Sequence, residues 1–130
     1  MNQTTKATHE KLTNYKNELL KNTPDFWCYG TAAKCTEKMT DGEKTKFLAA
    51  ELLYRAELAT EGACKFAAEN NLRWMSNELQ RASHYYDCYQ MILTVLSGDW
   101  CGAAEIEENL HLTAVQKALK ILEEVKGGIN

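Results

Sequence analysis

One proline and seven glycines among 130 residues leave little material for the tight turns that a sheet protein needs. Helices are therefore the expected element. No run of about 18 apolar residues occurs, so no transmembrane helix is expected, and the opening "MNQTTKATHEKLTNYKNELL" lacks the apolar segment of a secretory signal. An excess of positive charge is missing too. With a formal net charge of -3, any contact with nucleic-acid phosphates would have to come from a local patch.

Closely spaced cysteine pairs are also absent. The five cysteines stand at 28, 35, 64, 88 and 101, an odd number among helix-forming residues, which speaks against a disulfide framework. Reduced, mostly buried thiols and a cytoplasmic address are the expectation. Serine nucleophile elbows, Gly-rich phosphate loops and Cys-His pairs with an orienting third residue are likewise missing as motifs. The expected protein is not an enzyme and has no cofactor and no metal.

What is present is the composition of a globular domain, with 45% apolar and 25% charged residues. A chain this long builds one core, so residues 1–130 are read as a single helical domain. The fold class expected is all-α: a compact bundle of five to six helices built on a long antiparallel helical hairpin. Residues 5–22 carry Leu12, Tyr15, Leu19 and Leu20 at helical spacing, and Thr23-Pro24 reads as the cap and first turn of a second helix over 24–38. That helix would set Cys28 and Cys35 on one face, beside Trp27.

"TDGE" at 40–43 has the Thr-x-x-Glu form of a capping box and predicts a long helix from 41 to 70. Its stripe, Ala49, Leu52, Ala56, Ala59, Ala63 and Phe66, is mostly small. "NNLRW" at 70–74 is the break, and the next helix runs from 72 to 97, where Gly98 stops it. Its seam alternates three and four: Leu72, Met75, Leu79, Ala82, Tyr86, Tyr89, Leu93 and Leu96. Tyrosines on one helix facing alanines on the other make a large-to-small fit.

Within "SHYYDCYQ" (83–90), Tyr86 and Tyr89 fall on this seam, while Trp74, Tyr85, Cys88, Ile92 and Val95 form a second apolar stripe beside it. His84 and Asp87 take the polar side. A zinc site using His84 and Cys88 would need further ligands that no motif supplies. Cys88 is expected to be buried. Similarly, "ENLH" at 108–111 has the Glu-x-x-His spacing of di-iron bundles, but those sites need two such motifs and two more glutamates. Glu108 and His111 are expected at the surface or a helix end. "DFWCYGTAA" and "GDWCGAAE" share Asp, Trp-Cys, Gly and Ala-Ala in order, which chance explains.

In the last third, Ala103, Ile106 and Leu110 are about 120 degrees out of phase with Leu112, Val115, Ala118, Leu119, Leu122 and Val125 on one continuous wheel. A break near "HLT" (111–113), with Thr113 as cap, would reconcile them. The resulting short helix, turn and helix over 103–128 resembles the helix-turn-helix of winged DNA-binding domains. That resemblance implies a nucleic-acid-binding regulator reading through Gln116, Lys117 and Lys120. Arginine, the commonest reader of guanine, is absent from the reading helix.

The leading expectation is a non-catalytic adaptor, regulator or inhibitor, such as phages encode, that binds a protein partner. Trp74, Arg81 and Tyr85, where apolar and charged residues mix, are the candidate contacts. Self-association through the same wide apolar arc is the simpler version. Nucleic-acid binding is the alternative. A small-molecule pocket lined by Tyr85, Tyr86 and Cys88 is the third. No membrane partner is expected.

Overall fold

The computed structural model describes residues 3–129, and the side chains of residues 3–127. The chain is an all-α bundle of five helices with no strand among the described residues: α1 (Gln3–Asn22), α2 (Tyr29–Thr36), α3 (Asp41–Ala68), α4 (Leu72–Ser97) and α5 (Trp100–Ile129). The expected hairpin of α3 and α4 is its most extensive packing, and α5 lies against both of them. α1 packs against all three, whereas α2 lies against α3 and shares a side-chain cluster with the end of α1.

The hairpin forms where local signals place it. Thr40 accepts from the Glu43 amide at 3.2 Å and Glu43 accepts from the Thr40 amide at 3.2 Å, so both halves of the capping box start α3. Asn70, with φ 56, turns the chain in the left-handed region that asparagine tolerates. Asn71 then caps α4 through the Trp74 amide, and Gly98, with φ 70, ends it. Ala49, Leu53, Ala56 and Ala59 share one core with Ala82, Tyr86, Tyr89 and Leu93. Leu52 and Phe66, expected on the α3 stripe, are half-buried flanks, and Leu72 of the α4 seam is exposed.

Two sequence expectations are corrected. Residues 23–28 do not begin a helix at Pro24. The Phe26 amide donates to Thr23 O and the Cys28 amide to Asp25 O, both at 2.9 Å, in successive turns, and α2 starts at Tyr29. Phe26 explains this: it is fully buried, edge-on to Phe47 at 5.6 Å, and its burial outweighs the Thr-Pro start signal.

Nor is there a break at 111–113. The Thr113 hydroxyl donates to Asn109 O at 2.8 Å inside a continuous α5. The phase conflict is resolved by small residues. Ala103 and Ile106 join the core shared with α4, Ala114 continues it, and Ala118 and Leu122 join a second cluster with Ala63, Ala67 and Met75. Leu112 and Leu119, which the sequence pattern assigns to the core, are exposed. The helix passes from one set of neighbours to the next while staying helical, so the helix-turn-helix over 103–128 is absent; the side chain of residue 128 lies outside the described residues.

The junction of α4 and α5 is tight, and Gly102 makes it so. Asp99 Oδ1 accepts from the Gly102 amide at 3.0 Å, capping α5, while Oδ2 accepts from the Thr5 hydroxyl at 2.7 Å and ties α1 down. A Cβ at residue 102 would lie 2.1 Å from Asp99 Oδ2 and 3.1 Å from Thr5 Oγ1. Gly102→Ala is therefore expected to lose about 1–3 kcal/mol in urea unfolding. Gly42→Ala, where a Cβ meets nothing within 4 Å, should leave stability unchanged or slightly raised.

Candidate functional site

The polar first helix buries an unexpected set of residues. Thr5 and Lys16 are buried with Leu12, and His9 is half-buried between them, so positions 5, 9, 12 and 16 alternate four, three, four along one inward face. Lys16 pairs with Glu57 of α3. His9 meets Tyr89 of α4, with Nδ1 and the hydroxyl 2.6 Å apart and the rings edge-to-face at 5.6 Å. Burial lowers the pKa of His9 from its ordinary value and raises that of Tyr89, so the pair holds a neutral imidazole against a protonated phenol.

That pair sets the proton. Tyr89 is fully buried and its hydroxyl has no other hydrogen-bond partner among the described residues, so it donates to Nδ1. The neutral ring then carries its own hydrogen on Nε2. His9 in turn lines a cleft of about 760 Å³ whose wall is mostly apolar. Lys6, His9 and Glu10 come from α1, Glu57, Thr60, Glu61 and Cys64 from α3, Tyr86 from α4, and a run between Ile106 and Lys117 from α5. The Thr60 hydroxyl donates to Ala56 O at 2.9 Å, and Tyr86 lines the cleft beside Thr60. Burial raises the pKa of the Cys64 thiol, keeping it protonated.

Of Tyr85, Tyr86 and Cys88, expected to line a pocket together, one lines this cleft. Tyr86 lines the cleft, but Tyr85 and Cys88 are not among its walls. Cys88 is exposed, as is Cys101, and the other three cysteines are half-buried, so the expectation of mostly buried thiols is corrected. The reason is angular: Cys88 sits outside the Tyr86–Tyr89 seam, seven residues before Val95, which is 77% exposed.

This second stripe is the other feature of α4. Residues 74, 78, 81, 85, 88, 92 and 95 alternate four and three, with Glu78, Tyr85 and Ile92 half-buried and Trp74, Arg81, Cys88 and Val95 exposed. Trp74 packs on Phe66 at 6.1 Å. Arg81 donates to Glu78 at 3.1 Å and lies one turn before Tyr85. The three candidate contacts, Trp74, Arg81 and Tyr85, thus lie on one strip. Met91, also exposed, widens it. Of the nucleic-acid candidates, Lys117 lines the cleft, while Gln116 and Lys120 are exposed elsewhere on α5.

On the far side of α4, Asp87 hydrogen-bonds to Glu107 of α5. Burial, that hydrogen bond and the charges of Asp87 and Glu108 push the Glu107 carboxyl up to about 7. One turn on, His111 is half-buried, and its Nδ1 has no hydrogen-bond partner among the described residues. Sequence reading placed neither this pair nor His9, because in both cases the partner comes from another helix. Among the described residues no group of three or more His, Cys, Asp and Glu is arranged to hold a metal ion, and no helix is long and apolar enough to cross a membrane. No family model, curated protein or solved structure matches the chain.

The carboxyl pair gives a pH prediction. A carboxyl raised in the fold binds its proton more tightly there than in the unfolded chain, so its contribution to stability falls as pH rises from the ordinary carboxylate range through about 7. Glu107→Gln should accordingly be most stabilised relative to wild type above pH 7, and the difference should vanish by about pH 5. Urea midpoints measured across that range check it, and a pH-independent difference would contradict the shared proton.

Proposed function

We propose that the protein is a non-catalytic adaptor, regulator or inhibitor that works in the cytoplasm by docking a helix of a protein partner on the outer strip of α4. The observation that carries this reading is the second three-four seam, whose exposed members include Trp74, Arg81 and Val95 although the first seam already anchors α4 in the core. Seams of this period accept another helix, side chain into gap. Tryptophan, tyrosine and arginine are also the residues enriched where binding energy concentrates.

A second copy of the chain is the simplest competitor for the strip. Native mass spectrometry separates the two: a monomer keeps the partner-helix reading, and a dimer that Val95→Glu dissociates replaces it. The helix-turn-helix alternative has lost the turn on which it rested, since α5 runs unbroken through 111–113.

With a partner isolated on wild-type protein and then purified, single truncations Trp74→Ala, Arg81→Ala and Tyr85→Ala are measured by calorimetry. At least one is expected to cost about 2 kcal/mol or more, roughly thirtyfold in Kd. Binding that all three leave intact, with helicity preserved, would remove the strip from the site.

A further inference from the structure

We infer that the cleft between α1, α3 and α5 binds an uncharged, largely apolar organic molecule that carries a hydrogen-bond acceptor such as a carbonyl, seated on His9 Nε2. This site is separate from the α4 strip and does not depend on it. At about 760 Å³ the cleft is of the size that holds compact organic ligands, which commonly occupy ~300–1,000 Å³. Its walls come from α1, α3 and α5, with Tyr86 of α4.

Three observations set the ligand's chemistry. First, the walls are mostly apolar, with the Tyr86 ring and Ile106 and Leu110 side chains available to an apolar body. Second, the rim charges cancel. Lys6 and Lys117 stand against Glu10 and Glu61, and Glu57 is already paired with Lys16, so neither a cation nor an anion finds an unmatched countercharge. Burying an uncompensated charge there would be unfavourable.

Third, His9 offers a ligand a hydrogen-bond donor. The Tyr89 hydroxyl fixes Nδ1 as the acceptor, which leaves the hydrogen on Nε2 to donate, and His9 lines the cleft. His9 is therefore a donor in a fixed ring orientation, backed by a fully buried tyrosine. The Thr60 hydroxyl, by contrast, is already engaged with the Ala56 carbonyl. An acceptor oxygen is the complementary group.

Nile red, a neutral aromatic dye with one carbonyl oxygen, is a suitable probe. Titrated with the full chain, it should bind at a single saturable site with blue-shifted emission. Ala114→Phe fills the cleft from its floor and Thr113→Trp from its exposed rim. Each is expected to weaken binding at least tenfold, with folding checked by circular dichroism. His9→Phe keeps a ring but removes the donor, and should weaken binding by about tenfold.

Nitrogen-15 spectra supply a direct readout. Dye should shift His9 Nε2 and leave the exposed His84 unchanged, and Val95→Ser on the α4 strip should bind as wild type. Absence of saturable binding, full affinity in folded cleft-filled variants, or an unshifted His9 would overturn the inference. So would loss of binding in Val95→Ser, which would put the dye on α4. Tighter binding of the anionic dye anilinonaphthalenesulfonate than of Nile red would overturn the uncharged class.

Discussion

The close approach of α3 and α4 governs the rest of the structure. Ala49, Ala56 and Ala59 carry too little volume to hold a neighbouring helix away, and Tyr86, Tyr89 and Leu93 fill the space they leave. Replacing these alanines by larger residues would push the helices apart, while trimming the tyrosines would leave cavities. The fit has a chemical consequence. Tyr89 is fully buried and Tyr86 nearly so, and each brings a hydroxyl that must find a partner or cost about 1–3 kcal/mol.

The Tyr89 hydroxyl organises a neighbouring helix. Tyr86 lines the cleft beside Thr60, whereas Tyr89 bonds to His9 of α1. His9 thereby becomes a fixed point for a helix of low apolar content, with Thr5 on Asp99 and Lys16 on Glu57 as flanking ties. An apolar α1 could slide along the groove, whereas a helix held by three polar contacts has one register. Such contacts add specificity more readily than net stability, because each replaces hydration that the unfolded chain also enjoys.

The elements legible in the sequence are those whose signals are local. The capping box at Thr40, the Asn70-Asn71 turn, Gly98 and the seam through Tyr86 and Tyr89 each depend on residues a few positions apart, and each appears where expected. The start of α2 and the supposed break in α5 were misplaced because tertiary packing overrode a plausible local signal. In α5, alanines 114 and 118 marked the buried face, yet their larger neighbours Leu112 and Leu119 dominated the apolar pattern. His9 was hidden differently: the four-three-four spacing of Thr5, His9, Leu12 and Lys16 is present, but only one of those residues is apolar. Periodicity of position, without regard to residue type, would have found it.

The cleft and the α4 strip arise from the same packing on opposite accounts. α4 is held in the core by one seam, so its second seam is only partly covered: Tyr85 and Ile92 flank the core, while Val95 and Trp74 stay exposed. α3 packs against α4, α1 and α5, and α1 is tied to Asp99 and to Glu57, which fixes its position beside the groove that His9 lines. The opening there follows from where the polar ties sit. Moving α1 to close it would break the bond from Tyr89 and leave a buried hydroxyl without an acceptor, an exchange that apolar contact along so polar a helix would hardly offset.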